Sequence, residues 1–133
     1  MDEKVLIQLT TQWSRMTGLV LELRKIPSAE LQRLLKETYR VLRFYCEDNL
    51  VPKEISKILL EMDEFLYFAS LFEKKEVEID FYFYQVMHMI VETLKEGFFK
   101  GKYECEYPIL KTSDLSNNSL VFDFENGHIE DLL

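Results

Sequence analysis

The chain has 133 residues and a formal net charge of −8; 47% of its residues are hydrophobic and 14% aromatic, with only four Gly and three Pro. This length predicts one domain with an ordinary core, and the apolar content excludes an intrinsically disordered chain. The excess of acidic residues argues against a general nucleic-acid-binding protein, because release of counterions from phosphates is the main driving force of such binding.

The first predicted helix spans residues 3–25, and its apolar residues recur at the three- and four-residue spacing of one buried face. They are Val5 or Leu6, Leu9, Trp13, Met16, Val20 and Leu23. We interpret Trp13 as a core residue; the alternative is an interface anchor, since Trp is enriched in binding hot spots. Gly18 costs this helix roughly 1 kcal/mol relative to Ala, and it is a candidate point for a close helix crossing.

A second helix is predicted over residues 29–47, after the break at Pro27 and Ser28. Its core side carries Leu31, Leu35, Leu42 and Tyr45. The opposite side carries four cations within about 80° of arc. They are Arg33, Lys36, Arg40 and Arg43. This basic face is a candidate docking site for a phosphate, an acidic peptide or a nucleic-acid backbone. We favour a solvated or salt-bridged face instead, because Glu37 and Glu47 border the four cations.

The third predicted helix spans residues 52–73 and is apolar on two sides. Its main seam consists of Ile55, Ile58, Leu59, Met62, Phe65, Leu66, Ala69 and Phe72. A second seam, Leu60, Tyr67 and Leu71, falls about 120–160° from Ile55. A helix with two apolar sides is either central in a bundle or pairs with another chain. The second seam is therefore a candidate interface.

The fourth predicted helix spans residues 80–99, with Asp80 as its N-cap and Gly97 and Gly101 as its stop. Its predicted core side carries Val86, Met89, Ile90, Thr93 and Leu94. Residues 77–83 also alternate between apolar and polar, which is a strand signal. We favour a helix there, because the pattern that continues to Leu94 is helical.

The remaining residues predict a β-hairpin over about 102–125. Tyr103 to Tyr107 alternate aromatic or thiol groups with acids, and Leu120 to Phe124 form the second strand after a run of turn residues. The whole chain is therefore predicted to be mostly α: a single domain over residues 1–133, built as a four-helix bundle-like fold with a C-terminal β-hairpin.

The sequence contains no pattern that names a chemistry. The two histidines, His88 and His128, are far apart, and no Cys-x-x-Cys, His-Glu-x-x-His or calcium-loop spacing occurs. The glycines form no phosphate loop. We therefore predict no enzyme activity, no metal site and no cofactor.

The location predicted for the chain is cytoplasmic. No apolar run reaches the ~18 residues that span a bilayer, and residues 1–4 do not resemble a signal peptide. Cys46 and Cys105 are then expected to be reduced.

The charge divides unevenly along the chain. Residues 1–50 have a net charge of +1, whereas residues 51–133 carry eight basic and seventeen acidic side chains, a net charge of −9. Our leading hypothesis is a protein-interaction module (an adaptor, inhibitor or immunity-type protein) whose acidic second half meets a basic partner, with a homodimer through the second seam as a further expectation. The alternative is a helical regulatory domain that binds a small apolar ligand between its two central helices, the third and the fourth. Nucleic-acid binding by the basic face is disfavoured, and no membrane association is expected.

Overall fold

The computed structural model describes residues 1–23, 28–71, 81–103, 109–110 and 122–123. These residues form four helices: α1 (Glu3–Leu23), α2 (Ser28–Tyr45), α3 (Lys53–Leu71) and α4 (Phe81–Lys100). The prediction of a mostly α protein is confirmed. Of the ambiguous residues 77–83, the last three belong to α4, and the others lie outside the described residues.

The predicted C-terminal hairpin is described only in part. Strands β1 (Ile109–Leu110) and β2 (Phe122–Asp123) pair antiparallel, with Ile109 opposite Asp123 and Leu110 opposite Phe122. Residues 104–108, 111–121 and 124–125 lie outside the described residues, so the hairpin over 102–125 stays a prediction.

The helices pack in an order that the lengths of their connections do not indicate. The most extensive contact joins α1 to α3, and the other packed pairs are α1–α2, α3–α4 and α2–α4. Around the bundle the order is therefore α1, α3, α4, α2. Helices joined by a short link are usually neighbours in a bundle, but α2 and α3 are joined by a short link and lie diagonally.

The directions of the helices follow from the contacts between them. Arg15 pairs with Glu30, whereas the earlier residue Trp13 contacts the later residue Thr38, so α1 and α2 are antiparallel. The rings of Tyr39 and Tyr103 meet with their centroids 5.2 Å apart, so the C-terminal ends of α2 and α4 lie together. Because α3 starts only a few residues after α2 ends, it runs alongside α1 in the same direction.

Trp13 lies in the middle of the core and is 0% exposed. Its indole N–H donates to the hydroxyl oxygen of Thr38 at 2.9 Å, and that hydroxyl donates to the carbonyl oxygen of Leu34 at 2.7 Å. The ring of Phe65 meets the indole edge to face, with 5.5 Å between centroids. Since every polar atom of this group has a partner, it is stable in an apolar interior. The interpretation of Trp13 as a core residue is confirmed.

Both glycines that were predicted to stop α4 lie near its C-terminal end, which is capped by backbone hydrogen bonds. Gly101 has a left-handed φ of 77°, and the N–H groups of Gly101 and Lys102 donate to the carbonyl oxygens of Phe98 and Gly97. This double hydrogen bond is the Schellman arrangement, and Gly101 ends the helix. The other half of the prediction is wrong, because Gly97 lies inside α4.

The role of Gly97 is to make room for Tyr103. The Tyr103 ring lies against the Gly97 backbone so closely that a Cβ there would overlap it. The Tyr103 hydroxyl donates to the carbonyl oxygen of Leu94 at 2.7 Å. Burial raises the pKa of Tyr103 well above its ordinary value, so the hydroxyl stays protonated and remains a donor.

Two smaller expectations are also corrected. A Cβ on Gly18 would meet nothing within 4 Å, so none of the four described helices crosses α1 closely at this glycine. Met89 is exposed, whereas Met87 and Val91 are buried. Ile90, Thr93 and Leu94 of the predicted core side are buried as expected, so among the described side chains that prediction is wrong only for Met89.

Candidate interaction surfaces

The second apolar seam of α3 lies on the outside of the bundle. Leu60, Tyr67 and Leu71 are 64%, 61% and 55% exposed, and we call these three side chains the outward face of α3. Ile58 and Phe65, on the opposite side of the same helix, are completely buried. Because α1 and α4 pack on the inward side, neither covers the outward face. The structure thus places the three predicted interface residues together and exposed.

Charged side chains border the outward face unevenly. Lys53 and Lys57 lie towards the start of α3, whereas Asp63 and Glu64 lie further along, and all four are exposed. Asp63 accepts a hydrogen bond from the Lys95 ammonium group at 2.8 Å. This hydrogen bond is the main reason that the pKa of Lys95 is raised. Opposite signs of charge therefore border the two halves of the outward face.

Glu64 has an acidic neighbour on its own helix. Burial raises the pKa of Glu61, and the negative charge of Glu64 raises it further. Within the part of the chain that the structure describes, neither Glu64 nor Lys57 forms an ion pair. Both charges are therefore available to a partner molecule.

One member of this surface was missed at the level of sequence. Leu50 is 91% exposed, the most exposed large hydrophobic residue among those described. It lies in the connection before α3, so it fell outside the helical pattern. It precedes the exposed Lys53 at the start of α3 by only three residues, and this proximity along the chain is the signal that could have found it.

The four predicted cations of α2 all lie exposed on one face of that helix. We call them the basic face of α2: Arg33, Lys36, Arg40 and Arg43. Arg40 pairs with Glu37 at 2.9 Å. Arg43 donates to the Tyr39 hydroxyl at 3.0 Å, and its guanidinium carbon lies 5.7 Å from the centre of the Tyr39 ring. Local partners therefore hold two of the cations, and docking of an anion by this face stays a prediction.

An open cavity of about 400 Å³ lies between α1 and α2. Its charged lining consists of Arg15, Arg33, Glu30 and Glu37, and Arg15 and Glu30 pair with each other. This balanced lining does not select strongly for either sign of charge. The cavity also differs in position and character from the predicted apolar pocket between α3 and α4, which stays a prediction.

A second open cavity, of about 550 Å³, lies where α2 and α4 end, and Cys46 and Phe99 are among its lining residues. The Cys46 thiol donates to the carbonyl oxygen of Arg43. Burial raises the pKa of this thiol, and the negative charge of Glu47 raises it further. Since the thiolate is the nucleophilic form, this cysteine is poorly suited to covalent chemistry. Cys105 lies outside the described residues.

No group of three or more His, Cys, Asp or Glu side chains among the described residues is placed to hold a metal ion. None of the described helices combines the length and apolar character that crossing a membrane requires. Comparison of the chain with protein-family models, with curated proteins and with solved structures finds no match. The exposed surfaces of the bundle are therefore the features that bear on its function.

Proposed function

We propose that the protein is a cytoplasmic protein-interaction module that acts by binding rather than by catalysis, with the outward face of α3 as its docking surface. The observation that carries this proposal is the exposure of Leu60, Tyr67 and Leu71 on a helix whose other side is fully buried. Single exposed apolar residues are ordinary, but a group with an aromatic member on one rigid element is typical of a binding surface.

The geometry of the outward face suits a helical or extended segment of another protein. Three large side chains within three turns of one helix give a ridge of apolar contact. The Tyr67 ring is braced by Phe68, with 5.3 Å between ring centroids. A braced aromatic ring loses little entropy on binding, and buried aromatic anchors supply most of the free energy in many interfaces.

The charge of the chain favours a basic partner. Residues 51–133 carry a net charge of −9, and opposite charge on a partner raises the rate of association. Such steering weakens as salt screens the charges. An adaptor, an inhibitor or an immunity-type protein would each use a surface of this kind.

The test is affinity capture from a lysate of the native host, with the full chain as bait, at low and high salt. Tyr67→Glu places a charge on the outward face, and the matched control is Phe44→Glu on α2. Phe44 is also a largely exposed aromatic residue, 57% against 61% for Tyr67, and it contacts the ring of its neighbour Tyr45.

We expect a stoichiometric partner that the wild type and Phe44→Glu retain and Tyr67→Glu loses, with weaker capture at high salt. Equal capture by both variants would show that the outward face of α3 is not the docking surface. Capture that does not depend on salt would refute the electrostatic part of the proposal.

A further inference from the structure

Exposed residues on and before α3 follow the alternating spacing of a coiled-coil seam. Seven of them are separated by three, four, three, four, three and four residues, and all seven are exposed. We call them the heptad row: Leu50, Lys53, Lys57, Leu60, Glu64, Tyr67 and Leu71. Six of the seven, from Lys53 to Leu71, lie on α3, where this spacing keeps them on one side of the helix and facing a partner helix along its length. Leu50 precedes the helix in the connection from α2. The row points away from the core of the bundle, on the side of α3 opposite to the buried Ile58 and Phe65.

The charges along the heptad row are opposite on the two sides of Leu60. The row carries Lys53 and Lys57 before Leu60, and Glu64 after it. Two copies of α3 side by side in the same direction would bring Lys against Lys and Glu against Glu. Two copies in opposite directions bring the basic half of each against the acidic half of the other. The row is therefore complementary to itself only in the antiparallel arrangement.

We propose that the heptad row is a homodimer interface, in which two copies of α3 pack antiparallel about a two-fold axis near Leu60. An interface with two-fold symmetry requires one surface that is complementary to itself. This inference rests on the proposed function, because it takes the outward face of α3 as the docking surface. It names a second copy of the chain as the occupant, selected by the local charges of the heptad row rather than by the net charge of the chain.

The register of the dimer follows from distances along the row, at about 1.5 Å per residue. Lys57 lies three residues before Leu60 and Glu64 four residues after it. Each Lys57 therefore faces Glu64 of the partner subunit across the axis. In the monomer Glu64 lies beside the like charge of Glu61, and this contact compensates that repulsion.

The outer parts of the row match in the same register. Lys53 and Tyr67 lie seven residues on either side of Leu60, so an ammonium group meets the ring of Tyr67 of the partner subunit. Leu50 lies ten residues before Leu60, and Leu71 eleven residues after it. Because Leu50 precedes the helix, the rise per residue does not fix its position; Leu71 of each copy extends towards the connection that carries Leu50 of the other copy. One helix from each copy gives a small contact, so we expect reversible association that depends on concentration.

The experiment is analytical ultracentrifugation of the full chain from about 1 to about 500 μM, a range that includes micromolar dissociation constants. The variants are Lys57→Glu, Glu64→Lys and the double variant with both changes, and Lys36→Glu on α2 is the control for charge reversal. The circular dichroism spectrum and the emission of Trp13, which is 0% exposed, show whether each variant is folded.

We expect the wild type and Lys36→Glu to dimerise. Each single reversal on α3 places like charges across the axis and raises the dissociation constant about tenfold or more. The double variant restores opposite charges in exchanged positions, so its dissociation constant returns towards the wild-type value. This recovery is the result that a parallel pair, or an unrelated contact between copies, would not give.

A mass of one chain at every concentration overturns the homodimer. So does dimerisation that both single reversals leave unchanged. Either result can be told apart from a failure of the proposed function, which is decided by capture of a different protein with Tyr67→Glu and Phe44→Glu. A monomeric chain whose capture depends on Tyr67 would show that the face binds a foreign protein rather than a second copy.

Discussion

The two faces of α3 have similar side chains and opposite surroundings. Ile58, Met62 and Phe65 point inward and are completely buried, while Leu60 and Tyr67 on the other side are more than half exposed. Both faces are apolar, so hydrophobicity alone does not distinguish them. An apolar stripe on a helix therefore predicts a contact surface. It does not show whether that contact is made within the same chain or with another molecule.

The inward face of α3 is buried by side chains of α1 and α4. The Trp13 indole of α1 meets Phe65 edge to face, and α4 flanks α3 through the ion pair between Lys95 and Asp63. A face covered in this way stabilises the monomer. The side chains of the outward face are more than half exposed, so they add little to the stability of the monomer.

The largest expected effect on stability comes from truncating a buried ring on the inward face, and the same change on the outward face should have little effect. Phe65→Ala leaves a cavity beside Trp13 and should lower the free energy of unfolding by about 3–5 kcal/mol. Tyr67→Ala removes an exposed ring and should change it by less than about 0.5 kcal/mol. The measurement is urea unfolding followed by circular dichroism, at a protein concentration low enough to keep the chain monomeric. A comparable loss in both variants would show that the outward face is covered within the chain.

The inward face of α3 could be predicted from the sequence, because hydrophobic periodicity reports directions about a helix's own axis. Ile55, Ile58, Met62 and Phe65 were all assigned to the core in this way, and all are buried. The order of helices around the bundle could not be predicted, since the α1–α3 contact joins distant parts of the chain and leaves no local signal.

The role of Gly97 was missed for a related reason. The rules for helix ends consider glycine and the next few backbone groups, and they identified Gly101 correctly. They take no account of a side chain that folds back after the helix has ended, as Tyr103 does. The outward face and the basic face of α2 could be found as patterns, but the residues alone do not show what binds to them.

The next largest effect is expected at Gly97, because the Tyr103 ring lies against its backbone. Gly97→Ala forces the Tyr103 ring away and should cost about 1–3 kcal/mol of unfolding free energy, as overpacking usually does. In a Tyr103→Ala background the same substitution meets no ring, and the better helix propensity of Ala should stabilise the chain by about 1 kcal/mol. Thermal unfolding of the four chains of this cycle gives both values. If Gly97→Ala has the same sign in both backgrounds, then Tyr103 is not what requires a glycine there.

A smaller effect is expected at the uncovered glycine. A Cβ on Gly18 meets nothing within 4 Å, so Gly18→Ala should raise the free energy of unfolding by up to about 1 kcal/mol through helix propensity alone. Gly97→Ala is the natural control, since it makes the same substitution in a helix with the opposite expected sign. A loss of stability in Gly18→Ala would mean that this side of α1 packs against something in solution.

The smallest effect lies at Glu61, which is half-buried on α3. Burial and then the neighbouring charge of Glu64 raise the pKa of Glu61 in the folded chain above the ordinary value of 4.5. The ionised carboxylate is therefore less favourable in the folded state than in the unfolded one, and it lowers stability at pH values above its folded pKa. Glu61→Gln removes that cost, so we expect a melting temperature about 1 °C higher at pH 7, a small change because solvent screens the group.

The pH dependence of that gain identifies its cause. Below the ordinary pKa of 4.5, Glu61 is protonated in both the folded and the unfolded chain. The gain in melting temperature from Glu61→Gln should therefore vanish as the pH falls from above the raised pKa of the folded chain to below 4.5. Glu64→Gln removes only the second cause and should give a smaller gain with the same pH profile. If Lys57 of the partner subunit compensates Glu64, the gain from Glu64→Gln should shrink further at concentrations where the chain is dimeric. A gain that persists at low pH would reflect helix propensity rather than charge.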